Sequence, residues 1–282
     1  KQLGLALNGY HETYSTFPPG NNNANPGGGW GQSWWVSILP EIDQASMFER
    51  WNHEAVSSGY TDAGNLLITA GKKIPVAQCP SSPMTPYEFS PHNGGSPAAI
   101  CVSHYAGISG SFPDPQGRAM VGTGPNGNAS NFGILFFRSR IRHADITDGS
   151  TNTILLGEQS DWCVETATGQ QRIAIAAWPH SLFMGSSGFG DRTFNCVTLR
   201  HPVGYKQAYG AHNYNAGNCN SIGLGVCGNS GINNPIQSAH VGGAHVCLAD
   251  GSVKFLSENM NLQSFLAAGA RDDGVVATLA EE

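Results

Sequence analysis

The run DITDGSTNT and the glutamate that follows it carry the most suggestive metal-binding chemistry in this 282-residue chain. Asp145, Asp148, Asn152 and Glu158 offer hard oxygen ligands, and the glycine after Asp148 permits the tight turn in which carboxylates and carbonyls converge on calcium. The spacing is not that of an EF-hand. The same residues also suit an ordinary turn, with Asn152 capping the loop through its side chain and Glu158 as a strand-end charge. Asp272-Asp273-Gly274 is a second oxygen-rich candidate. His240 and Asp250 have the chemistry of a base and its orienting carboxylate, with Ser238 or Ser252 as nucleophile. No Gly-x-Ser-x-Gly elbow accompanies them, so no catalytic residue is assigned and the chain is expected not to be an enzyme. His240 is expected instead to bond a loop carbonyl or the Asp250-Gly251 turn.

The seven cysteines are Cys79, Cys101, Cys163, Cys196, Cys219, Cys227 and Cys247. No Cys-x2-Cys pair occurs among them, and the histidines show no His-x3-His pair, so spacing alone does not point to zinc or haem. Disulfides are the better reading in an oxidising compartment, and Cys219 and Cys227 are the candidates for a local bridge across the glycine-rich loop between them. An odd count leaves either a buried thiol or a bridge to a neighbouring subunit. Cys247, inside an apolar strand, is the best placed for the buried role.

These residues have to be positioned by short elements. Ala244 to Leu248 and Ser252 to Leu256 read as two strands joined at Asp250-Gly251, where glycine supplies the positive φ of a tight turn. Leu3, Leu5, Ala6, Leu7, Tyr10 and Tyr14 put apolar residues on a broad helical face, and Phe17-Pro18-Pro19-Gly20 ends the pattern because proline cannot continue the hydrogen-bond ladder. Pro40 to Asn52 reads as a second helix, Asn65 to Lys73 as a third, and Asn261 to Ala270 as a last one. Strands are expected at Ile100 to His104, Ile134 to Arg138, Thr153 to Gly157 and Ile173 to Trp178. If the stretch around Trp34 and Trp35 is a strand, adjacent side chains alternate and both cannot face inward. Residues 181 to 237 lack periodicity and read as an irregular insertion, the kind of long segment that is functional or interfacial.

Composition narrows the classes. Charged residues are 12% of the chain, about half the usual ~25%, and the 37 glycines sit largely beside Asn and Ser, which implies long uncharged loops. A net charge of -6 without a Lys/Arg cluster argues against nucleic acid and against an anionic membrane surface.

In chain order, the Lys1 to Gly20 segment ending in Phe-Pro-Pro-Gly, the Trp34 to Trp51 stretch, Cys79-Pro80-Ser81, Ser103-His104-Tyr105-Ala106-Gly107, Asp145 to Glu158 and the motif His240-x9-Asp250-Gly251 together resemble one family. It is the pilin-like, type II secretion pseudopilin-like family with a C-terminal H-x9-DG motif, a domain of unknown function sometimes labelled family 10 solute-binding protein. The resemblance implies an α+β fold, an N-terminal pilin-type helix packed on a β-rich globular head with long Gly/Asn-rich loops. It implies one domain over 1–282: the end of the helix at 1–17, the head at 18–180, the insertion at 181–237, and the hairpin with its C-terminal helix at 238–282. Calcium is the one cofactor it suggests, since related pseudopilins carry it in a loop of the head. The function implied is an extracellular structural subunit on a bacterial cell surface, self-associating into a homopolymeric filament. The chain opens at Lys1 without the roughly 20 apolar residues of a membrane-spanning helix, so an upstream hydrophobic helix is expected to be missing or removed. The alternative is a surface-anchored solute- or glycan-binding protein, with Tyr205, Tyr209 and Tyr214 available for stacking.

Overall fold

The computed structural model describes residues 1–23, 29–55, 62–90, 98–124, 126–165, 172–174, 182–188, 193–208, 226, 231–277 and 279. Its frame is one helix against one sheet. The N-terminal helix, Gln2–Tyr14, buries Leu3, Ala6 and Leu7 on one face and leaves Leu5 outward. It stops at Ser15, which takes a left-handed φ of 59° while its N–H bonds the His11 carbonyl at 2.7 Å. Phe17, just beyond, is buried.

Among the described residues the central sheet has five strands: β1 Tyr105–Ser111, β2 Ile154–Glu158, β3 Cys196–Leu199, β4 Gly243–Leu248 and β5 Val253–Ser257, in the order β3-β1-β2-β4-β5. All neighbours are antiparallel except β3, which runs parallel to β1 at the edge. Both faces are covered. Leu3 and Leu7 of the helix, Trp34, Trp35, Leu156 and Cys247 fill one core. Ile108, Ile154, Val246, Leu248, Phe265 and Leu266 fill the other. Val246, Cys247 and Leu248 alternate between the two, as a pleated strand requires. The last helix, Leu262–Ala267, closes the second core; Asn261 caps it by accepting from the N–H groups of Gln263 at 2.9 Å and Ser264 at 3.1 Å.

The β4–β5 hairpin forms as its sequence implies. Gly251 has φ 83°, and the Asp250 carboxylate accepts from both the backbone N–H and the hydroxyl of Ser252. The turn is also where the N-terminal helix lands. A Cβ on Gly4 would stand 2.5 Å from Cys247 Sγ and 3.0 Å from Gly251 Cα, so only glycine allows this approach. Asn8 Nδ2 then donates to the Ala249 carbonyl at 3.2 Å.

Several local expectations give way to tertiary context. Pro40 to Asn52 is not one helix: Pro40–Ile42 is a 3-10 turn, Asp43 goes left-handed at φ 60°, and Ala45–Arg50 is a separate helix. An aspartate tolerates that conformation because its short polar side chain bonds locally. Trp34 and Trp35 start a short helix, Trp34–Ser37, and both are fully buried, stacked at 4.3 Å. Residues 134–138 form no strand beyond an isolated bridge at Phe137. Within 181–237, Cys196–Leu199 is a fully buried strand of the central sheet, so this part of the segment belongs to the scaffold and not to an appended loop. No described helix is long and apolar enough to cross a membrane.

Candidate functional site

Antiparallel pairing brings three strand termini to one end of the sheet. Tyr105, at the start of β1, lies opposite Glu158, at the end of β2, and the loop entering β4 carries His240 to the same place. The fourth element is the short turn Pro75–Ala77, which delivers Cys79. Cys79 Sγ and His240 Nε2 are 3.6 Å apart, and His240 Nε2 is 3.6 Å from Glu158 Oε1. One ligand atom from each of the three lies within 4.8 Å of the others.

Glu158 is 1% exposed, and a charge at such depth has to be held by donors. Ser160 donates its hydroxyl to Oε1 at 2.8 Å, and the backbone N–H of His245 donates to Oε2 at 3.1 Å. The ring of His245 adds Nδ1 at 3.5 Å from Oε2 and stands edge to face with His240, centroids 4.9 Å apart. The Cys79 N–H donates to His104 Nδ1 at 3.0 Å, which puts the ring proton of His104 on Nε2. Burial lowers the His104 pKa to about 4, against a smaller opposing pull from Glu158, so this imidazole is neutral at physiological pH. Burial and then the hydrogen bond to Glu158 raise the pKa of Cys79, which keeps it a thiol. Tyr105 is raised by burial first, then by Glu158 and Cys79. The cluster opens into a cleft of about 400 Å³ lined by Lys1, Gln78, Tyr105, His245 and Val253 among others.

The four residues read from sequence as a calcium set do not meet. Asp145 is paired with Arg142, Nη2 to Oδ1 at 2.8 Å, and that guanidinium holds its pKa down at about 2. Asp148 accepts from the N–H groups of Asp273 at 2.6 Å and Gly274 at 2.9 Å. Asn152 donates to the Asp148 carbonyl at 3.0 Å, a turn cap. Glu158 lies in the cluster with Cys79 and His240 instead. The histidine and the acid considered for a triad are also apart: Asp250 sits in the hairpin turn with Ser252, whereas His240, beside Ser238, precedes the opposite end of β4. His240 therefore does not lock the Asp-Gly turn, because the length of a strand separates them. Ser238 accepts from the His240 N–H at 2.9 Å and donates to the Gly243 carbonyl at 3.2 Å, a loop brace. Cys219 and Cys227 lie outside the described residues. Cys247 is a buried free thiol, one of five among the described cysteines.

The two oxygen-rich stretches do find each other. Asp148 and Asp273 are both buried, and one Asp273 carboxylate oxygen has no hydrogen-bond partner. Burial, then the nearby Asp148 charge, push the Asp273 pKa up to about 6. A carboxyl raised on folding contributes stability below its ordinary pKa and loses it as pH rises through the folded value. Asp273→Asn keeps the acceptor used by the Val275 N–H and removes the charge. The variant is expected to be more stable than the parent by roughly 1–3 kcal/mol at pH 7.5, with the gain fading as pH falls through about 6. Paired denaturant titrations across pH check it, and a gain that persists undiminished at low pH would refute the assignment.

Sequence reasoning did not assemble Cys79, Glu158 and His240, which are separated by up to 161 residues. The available signal was that Cys79-Pro80-Ser81, Ser103 to Gly107, Asp145 to Glu158 and His240 were already separate points of family resemblance. They converge here. A family model described as a protein of unknown function, DUF1559 (SBP_bac_10), matches residues 1–263. No curated protein and no solved structure matches the chain.

Proposed function

The chain belongs to the DUF1559 (SBP_bac_10) family, and from that premise we propose that it is a pilin-like, non-enzymatic structural subunit of a bacterial cell surface, self-associating into a filament. The observation that carries this reading is the flank of the N-terminal helix. Leu5 is 62% exposed on the outward face. Beside it runs a groove of about 550 Å³ between the helix and the 41–44 and 74–76 segments, with Ile42, Ile74 and Val76 in its walls beside Glu41, Asp43 and Gln44. A helix seated on a sheet, with an exposed leucine and a groove of mixed apolar and polar lining along its free side, suits lateral packing of one copy on the next.

Electron microscopy of native surface material tests the proposal. Ordered fibres of this chain are expected, and Leu5→Glu is expected to prevent them while leaving thermal unfolding unchanged. Dispersed particles alone, from material with an intact N-terminus, would overturn the structural reading. They would favour the second one, a surface-anchored solute-binding head, for which the 400 Å³ cleft is the specific support. Fibres that form normally with Leu5→Glu would move the contact away from the helix.

A further inference from the structure

We propose that Cys79, Glu158 and His240 form a binding site for a zinc-class divalent metal, with three protein ligands and a fourth position facing the cleft. The inference stands apart from the filament reading and depends only on the geometry of these side chains. A tetrahedral zinc with its sulfur ligand at about 2.3 Å and nitrogen or oxygen ligands at about 2.0–2.2 Å sets neighbouring donor atoms roughly 3.3–3.6 Å apart. The Sγ to Nε2 and Nε2 to Oε1 separations are both 3.6 Å, so two of the three ligand-to-ligand edges already have this spacing, and all three donor atoms lie within 4.8 Å of one another.

The donor set chooses the metal. Calcium takes six to eight oxygens, and magnesium keeps much of its water. A thiolate, an imidazole and one carboxylate suit zinc or cobalt. On binding, the Cys79 thiol releases its proton to solvent as the S–H bond is replaced by a sulfur–metal bond. The thiolate and the Glu158 carboxylate then offset the two positive charges. The surrounding hydrogen bonds are those that orient ligands: Ser160 and the His245 N–H hold the two carboxylate oxygens, the Cys79 N–H is anchored on His104, and the His240 N–H on Ser238. Three protein ligands with an accessible fourth position is the arrangement of a site that admits water or a donor from a ligand, unlike the closed four-ligand sites that only hold a fold together. The cleft beside the cluster, with His245 at its wall, is the space such a ligand would enter.

The test uses the full chain, kept reduced with a phosphine, and the metal alone. Zinc titrated calorimetrically is expected to bind one per chain with proton release. Cobalt is expected to give a thiolate-to-metal band in the near ultraviolet together with tetrahedral bands in the visible. Cys79→Ser is expected to abolish the near-ultraviolet band. His240→Ala, at a partly exposed position, is expected to weaken binding at least about 100-fold, beyond the 10–100-fold that loss of an outer partner costs. Thermal unfolding of both variants establishes that they fold, and His240→Gln replaces His240→Ala if the latter does not. Absence of stoichiometric binding by the parent chain would overturn the proposal. So would parent-like spectra and affinity in the folded variants, which would assign the metal to other histidines and cysteines.

Discussion

Trp35→Ala is expected to lower the free energy of unfolding by about 3–5 kcal/mol, the range for deleting a fully buried aromatic side chain. Trp34 and Trp35 are both completely shielded and stack on each other beneath the N-terminal helix, in the same core as Leu7 and Cys247. Adjacent residues can share a core here because the segment is helical. Neighbouring side chains then diverge by about 100°, whereas in a strand they point to opposite faces. The two indoles differ in one respect. Trp34 Nε1 donates to the Asn195 carbonyl at 2.9 Å, while Trp35 Nε1 is buried without a hydrogen-bond partner. Trp34→Phe therefore removes one of two donors to the Asn195 carbonyl, the Gly107 N–H at 2.9 Å being the other, whereas Trp35→Phe removes a donor that makes no hydrogen bond. Denaturant titration should rank Trp34→Phe as the more damaging by about 1 kcal/mol. A loss below about 1 kcal/mol for Trp35→Ala is what a surface residue would show, and would contradict this packing.

Gly4→Val is expected to cost about 3 kcal/mol, the upper part of the range for over-packing a filled core. Helix propensity alone would predict the opposite, since glycine is the poorer helix former. The contact decides: an added Cβ meets Cys247 Sγ at 2.5 Å and the backbone of Gly251 at 3.0 Å, and the backbone of a tight turn with φ 83° cannot easily withdraw. Because part of the overlap is with a thiol, Cys247→Ala should relieve some of it. The double variant is expected to be more stable than the sum of the single losses by about 1 kcal/mol. The double-mutant cycle in denaturant measures this, and strict additivity would mean that the helix does not rest on the hairpin turn as described. The same contact explains the economy of the hairpin. Its glycine serves both the turn and the close approach of the helix.

Features set by neighbours in sequence were legible. The Asp250-Gly251 turn, the two strands around it, the N-terminal helix and the short helix after Asn261 each depend on contacts across a few residues, and each formed. The mixed α and β architecture, an N-terminal helix on a β-rich body, followed from them. Other elements carried no local signature. Tyr105–Ser111 is a central strand, yet it is rich in glycine and serine and buried on both faces, so it shows no alternation of apolar and polar residues. Cys196–Leu199 is likewise buried at every position and sits between loop-like stretches.

The candidate site divides the same way. Spacing alone made Asp145, Asp148, Asn152 and Glu158 look like one oxygen-rich set, because sequence shows which ligand types are near each other along the chain. It does not show which partner each will find. Arg142 took Asp145, two backbone amides took Asp148, and Glu158, at the end of its strand, turned to residues from distant segments. The sequence by itself determined the local elements and named the separate segments around Cys79, Tyr105, Glu158 and His240. Only the tertiary structure decided that they meet, because their convergence depends on the strand order β1-β2-β4 and on antiparallel directions that bring those strand ends to one edge. Strand order is settled by the burial of both sheet faces over the whole chain, a non-local balance that no window of neighbouring residues contains.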